Sequence, residues 1–189
     1  VVRRHNIPKT YFNDLLEGVS SDISPFEIKT IGDLDRYSYL VAGTVGLMCT
    51  YILGQPDKQT LHGAKQLGIA MQYTNIMRDV SADAAIERVY LPSAVMKQHG
   101  LSRQDVMDGR NEEALRGVLA DLAQRARLCY DQAEQAIHGL APGNQRPVRI
   151  ALNLYRGILN RIEQNHFSVY NKRIRLSLPL KVLVALRTR

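Results

Sequence analysis

The chain has 189 residues, 45% hydrophobic and 23% charged, which suits one domain with a substantial core and excludes a disordered tail, a collagen or a polytopic membrane protein. Its two cysteines, Cys49 and Cys129, cannot build a disulfide framework or a structural zinc site, and they fit a reducing compartment. The net charge of +7 is concentrated at one end: residues 146–189 carry ten basic side chains against one acid, Glu163, which favours an anionic partner such as nucleic acid, phospholipid head groups or a phosphorylated small molecule.

The opening VVRRHNIPKTYF reads as sequence from inside a domain, with no signal or transit composition. Pro8 suits a first helical turn and predicts a short helix ending near Gly18. A loop is expected over Ser20–Pro25, then a helix from about Asp33 to Leu53. Its uncharged run YSYLVAGTVGLMCTYILGQP holds too many Gly, Tyr and hydroxyl residues for a membrane span and reads as a buried helix. After a break at Leu53–Asp57, a third helix runs from about Lys58 to Val80, and a further loop surrounds Pro92. Asn111–Ile137 is rich in strong helix formers, and its Leu115, Leu119, Leu122, Ala126 and Cys129 form an apolar stripe. Beyond a loop at LAPGNQRP (Leu140–Pro147), Val148, Leu152, Tyr155, Leu159 and Ile162 repeat that spacing. No strand pattern appears. The expected fold is all-α, a packed helical bundle.

The third helix carries the most specific signal. At 100° per residue, Gly68, Gln72, Asn75, Asp79 and Asp83 share a narrow polar stripe, while Leu67, Ile69, Ala70, Met71, Ile76, Met77 and Val80 are apolar. Two carboxylates at i and i+4 repel unless a cation lies between them, and magnesium, a hard ion that takes carboxylates plus phosphate oxygens, is the natural candidate. Asn75 offers a carbonyl oxygen one turn back, and Arg78 points aside, placed to orient a carboxylate or reach a phosphate. A DxxxD pair is more often a solvated acidic face, but Gly68 and Gln72 on the same line fit an interior wall better. The preceding helix offers the opposite wall. Ala42 and Gly46, with Gly43 and Thr44 between them, allow either close helix packing or an apolar ligand. Tyr37 sits near that helix's start, its hydroxyl available to a ligand or to a buried carbonyl.

With these residues in view, the chain resembles the squalene/phytoene synthase family of head-to-head prenyl diphosphate synthases. YSYLVAGTVGLM (37–48) is similar to one family block, and LGIAMQYTNIMRDVSADA followed by RVYLP is similar to the second aspartate-rich signature. LYRGIL (154–159) and VYNKRIRLS (169–177) also match, with a lean toward the bacterial phytoene-synthase branch. The resemblance implies an isoprenoid-synthase-type bundle and condensation of two farnesyl or geranylgeranyl diphosphates, through a cyclopropyl diphosphate, to a C30 or C40 product. Squalene, dehydrosqualene and phytoene are such products. It implies Mg2+ (or Mn2+) on Asp79 and Asp83 with Asn75, and Gln72 on the same face. Arg78, Tyr37, Tyr155 and Arg173 are placed near the diphosphates, and Ala42, Val45 and Gly46 on the prenyl-channel wall. NADPH enters only for a reductive, squalene-type member. Tyr155 read alone could equally be a core tyrosine.

The family's first aspartate-rich motif has no counterpart here, since Asp33 and Asp35 stand too close to Tyr37. The expectation is therefore a single domain over 1–189 that amounts to the C-terminal two-thirds of the family's, and a fragment inactive by itself because two carboxylates cannot hold three magnesium ions and two diphosphates. Ile86-Glu87 also stands where the family has Gly. Two other readings compete: a non-catalytic relative acting in binding or assembly, which would not need Asn75, Arg78, Asp79 and Asp83 together, and nucleic-acid binding, disfavoured by three Phe, no Trp and no recognition motif. The basic C-terminal quarter, with Arg175 beside Arg173, leads us to expect a cytoplasmic protein, peripheral on the inner face of an anionic membrane.

Overall fold

The computed structural model describes residues 1–23, 27–54, 57–170 and 174–188, and among these it is all-α, without strands. Helix α1 is Lys9–Ser21, α2 is Ile31–Ser38, α3 is Thr44–Leu53 and α4 is Lys58–Ala84. The short α5 (Ser93–Gln98) and α6 (Arg103–Asp108) follow, then α7 (Glu112–Ala136), α8 (Pro142–Gln164) and α9 (Leu178–Arg187).

Helix α4 lies at the centre and packs most extensively on α7, with α2, α3, α6 and α8 around it. That position explains why α4 is apolar on several sides: Ile69, Ala70, Tyr73, Ile76, Met77 and Val80 are all buried. The predicted stripe of α7 faces it, with Leu115, Leu119, Leu122, Ala126 and Cys129 fully buried. On α8, Leu152, Leu159 and Ile162 complete the core. Each such leucine or isoleucine contributes about 1.5–3 kcal/mol on burial. The Tyr130 hydroxyl of α7 lies 2.8 Å from Thr74 Oγ1, which also donates to the Ala70 carbonyl, so this polar contact in the α4–α7 seam is satisfied.

Local chemistry fixes the helix starts. Thr30 and Asp33 form a capping box on α2, Ser102 and Asp105 do the same on α6, and the Asp57 carboxylate accepts from the Thr60 amide at the start of α4. The Asp35 carboxylate joins three elements: it accepts from the Arg125 guanidinium of α7 at 2.7 and 3.2 Å and from the Tyr73 hydroxyl of α4 at 2.8 Å.

Four expectations change. The helix expected over Asp33–Leu53 is interrupted by one π-helical turn at Tyr39–Gly43, between α2 and α3. The third helix continues past Val80 to Ala84, which keeps Asp83 helical. The break at Leu140–Pro147 is mostly helix, since α8 begins at Pro142, where a missing N–H is harmless. Finally, α5, α6 and α9 are helices to which the sequence pattern assigned no bounds.

Candidate functional site

Four walls line a half-open cavity of about 440 Å³ beside α4. The π turn and α3 supply Val41, Ala42, Val45, Gly46, Cys49, Thr50 and Leu53, and α4 supplies Thr60, Gly63, Ala64, Leu67, Gly68, Met71, Gln72 and Asn75. Ala133, Ala136, Ile137 and Leu140, from the end of α7 and the turn after it, and Val148, Ala151 and Tyr155 of α8 close it. Along α4 the lining runs from Thr60 to Asn75, about 22 Å at 1.5 Å per residue. The side chains are small or apolar until the far end, where Gln72, Asn75 and Tyr155 converge.

Six of the sequence candidates therefore meet on one cavity: Ala42, Val45, Gly46, Gln72, Asn75 and Tyr155. The small residues also serve packing. A Cβ on Gly46 would come within 2.5 Å of the Ala64 carbonyl oxygen, and one on Gly68 within 2.4 Å of the Ala42 carbonyl oxygen. Thus α3 and the π turn meet α4 backbone to backbone, and Gly46 serves that packing while also bordering the cavity.

Beyond Asn75 the polar stripe continues along the last turns of α4. The Arg78 Nε and Nη2 donate to the two Asp79 carboxylate oxygens at 3.0 and 2.5 Å, a chelate with both side chains largely buried. The bonds to Asp79 raise the guanidinium's pKa above its ordinary value against the opposing effect of burial, so it is a permanent cation. Asp83 sits at the end of α4, lining a small crevice with Arg88 and Tyr90.

Tyr37 lies apart from the apolar cavity, at the carboxylate end. Its phenol donates to the Asp22 carboxylate at 3.1 Å, and its ring stacks on Tyr90 with centroids 5.2 Å apart. Tyr90 Oη donates to the same carboxylate, and Arg88 binds both Tyr90 Oη and the Asp22 carbonyl. Burial first, then Tyr90 and Asp22, push the Tyr37 phenol far above its ordinary pKa, so it stays a neutral donor. Arg173 lies outside the described residues.

Asn75 Oδ1 is buried without a hydrogen-bond partner. An amide oxygen in that state accepts from a ligand or coordinates a cation, and it shares its helix face with the Asp79 and Asp83 carboxylates. This donor set of two carboxylates and one amide oxygen, all hard oxygen ligands, suits a divalent ion whose remaining positions are filled by phosphate oxygens or water. Among the described residues no group of three or more His, Cys, Asp or Glu converges.

Sequence reasoning missed the fourth wall. Val148 and Ala151 are in register with Tyr155 on α8, but nothing local says which face of α8 meets α4. It also missed Asp22, Arg88 and Tyr90, polar residues scattered in loops that meet only in the fold.

An all-α bundle with a largely apolar cavity, bordered at one end by Gln72, Asn75 and Tyr155 and with Arg78, Asp79 and Asp83 further along the same helix, has the architecture of an isoprenoid-synthase helical fold. Residues 1–180 match the family model described as squalene/phytoene synthase. The chain belongs to the squalene/phytoene synthase family. It is 38% identical over 184 residues to the 15-cis-phytoene synthase of Synechocystis sp., covering 91% of this chain and 55% of that protein. Its fold is similar to a crystal structure of a dehydrosqualene synthase in complex with ligand (TM-score 0.88, 29% identity, 96% of this chain and 64% of that one). A squalene synthase from Alicyclobacillus acidocaldarius is also similar (TM-score 0.83, 25% identity, 88% and 63%). The chain spans about half the length of the curated relatives it matches.

Proposed function

We propose that this chain supplies the second-aspartate half of a head-to-head prenyl diphosphate synthase, joining two geranylgeranyl or farnesyl diphosphates through a cyclopropyl diphosphate to a C40 or C30 product. The observation that carries the reading is the unpartnered Asn75 Oδ1 at one end of a largely apolar cavity, on one helix face with two carboxylates. A prenyl diphosphate has the same division, a long apolar tail and a multiply charged head.

Each part of the chain then has a task. The walls from Val45 and Leu53 to Leu67 and Ala151 hold the tail and keep water from an allylic cation. Gln72 and Tyr155 orient the head group at the mouth, Arg78 offers a fixed positive charge beside it, and the neutral Tyr37 phenol, its proton donated in a hydrogen bond to Asp22, holds that carboxylate in place. Asp79, Asp83 and Asn75 would hold Mg2+, which when bound stabilises negative charge on the departing diphosphate. We expect the 189-residue chain alone to bind substrate without efficient turnover, because two carboxylates, one already chelated by Arg78, supply too few ligands for two diphosphates.

Cys49 gives a readout independent of turnover, since it is exposed and lines the cavity. A non-cleavable farnesyl diphosphate analogue with Mg2+ should slow maleimide labelling of Cys49, and Asp83→Asn should abolish the Mg2+ dependence of that protection. Labelling unchanged by analogue and metal overturns the reading. Turnover is then assayed by product mass, for the chain alone and fused to the N-terminal part of a phytoene synthase. Efficient C30 or C40 synthesis by the chain alone would refute the expectation of inactivity.

A further inference from the structure

The carboxylate pair of α4 stands on the last two turns of that helix, and Asp83 is its penultimate residue. A last turn frays unless its open carbonyls find donors. Here the Asp83 carbonyl accepts from the Ile86 N–H at 3.0 Å and from the Arg88 N–H, five residues on, at 2.9 Å. The Ala84 carbonyl accepts from the Glu87 N–H at 2.9 Å. Bonds that reach back over five and three residues make a Schellman-type cap, which needs a left-handed residue where the chain turns away. That residue is Glu87, at φ +61°. Glycine takes this conformation freely, whereas a glutamate holds it against its own Cβ.

The contact that offsets this strain comes from α6. Arg103 Nη2 donates to the Glu87 carbonyl at 2.7 Å. Its base is firm, because the Ser102–Asp105 capping box fixes the first turn of α6. Val106, three residues on and so on the same face, is buried and lines the crevice with Asp83, Arg88 and Tyr90. The turn that Arg103 grips also aims Arg88, whose guanidinium binds Tyr90 Oη and the Asp22 carbonyl.

We propose that Arg103 is a positioning residue: it clamps the left-handed turn at Glu87 and so keeps Asp83 helical, one turn from Asp79, the spacing that a shared cation requires. Without the clamp the glutamate relaxes out of the left-handed region, the Asp83 carbonyl loses its donor from Arg88, and the end of α4 frays. The consequence for the cation rests on the reading of Asp79 and Asp83 given above; the clamp itself does not.

Amide exchange followed by NMR reads the clamp directly. In Arg103→Ala the Arg88 amide should exchange at least about fivefold faster than in the unmodified chain, with the amides of the α4–α7 core unchanged. Adding Glu87→Gly, which removes the strain, should restore the slow exchange. The cation is read by the Mg2+ concentration that gives half-maximal protection of Cys49 by the non-cleavable analogue. That concentration should rise at least about threefold in Arg103→Ala and return when Glu87→Gly is added, a rescue that a general loss of α6 packing does not produce. Unchanged Arg88 exchange in Arg103→Ala overturns the proposal, as does a loss that Glu87→Gly leaves in place. An unmoved Mg2+ midpoint alongside faster exchange overturns it too. If the unmodified chain shows no Mg2+-dependent protection, the catalytic reading falls instead, and Arg88 exchange alone decides the clamp.

Discussion

At the scale of single residues, the cavity owes its shape to side chains that are missing. The main chain of Ala42 stands where a Gly68 Cβ would be, at 2.4 Å from the oxygen and 2.6 Å from the carbon. A backbone cannot yield as a flexible side-chain tip does. Gly68→Ala should therefore cost about 1–3 kcal/mol or more by forcing α4 away from the π turn. Gly143→Ala, where a Cβ meets nothing within 4 Å, should stay within about 0.5 kcal/mol. Urea unfolding of the two variants checks the contrast. Tyr130→Phe removes one buried hydrogen bond while Thr74 keeps its bond to the Ala70 carbonyl, so the expected loss is about 0.5–1.5 kcal/mol. Thr74→Val strands the Tyr130 hydroxyl and should cost more, about 1–3 kcal/mol.

At the scale of the element, three helices begin on aspartates whose pKa values lie below the ordinary 3.8. Asp57 is lowered chiefly by the backbone N–H of Thr60, Asp33 by the backbone of Thr30, and Asp105 by the Ser102 hydroxyl and backbone. A carboxylate with a lower pKa folded than unfolded stabilises the fold fully above its unfolded value and loses that contribution as pH falls through the folded one. The melting temperature should thus fall as pH drops below about 4, and Asp57→Asn, which keeps an oxygen acceptor without the titration, should show a shallower acid slope. Thermal melts followed by circular dichroism between neutral and acid pH test this. An equal slope in the variant would place the acid sensitivity elsewhere.

For the whole molecule, legibility followed the range of the interactions. The α7 stripe from Leu115 to Cys129 was readable because its spacing is local and every member is buried. The amides and carboxylates of α4 were readable for the same reason: one helix carries them, and its apolar flanks mark the rest as core. The π turn was not: its Gly43 and Ala42 lie against Lys65 and Gly68 of a helix twenty-odd residues on, a contact that no local pattern announces. The start of α8 was hidden by Pro142, Gly143 and Pro147, three residues that punctuate loops yet are tolerated in a first helical turn or two. The wall formed by Val148 and Ala151 depends on how α8 lies across α4, a relation between elements about seventy residues apart.

The close approach of the π turn and α3 to α4 also settles where this chamber can be retuned. On that side the narrowest gap is peptide against peptide, at Ala42 with Gly68 and Gly46 with Ala64, so exchanging amino acids there can only wedge the bundle apart. On the opposite side, Ala133, Val148 and Ala151 border the same hollow with ordinary side chains that can grow or shrink. Selection for a longer or shorter guest would leave its record on that flank, with the glycine flank held constant.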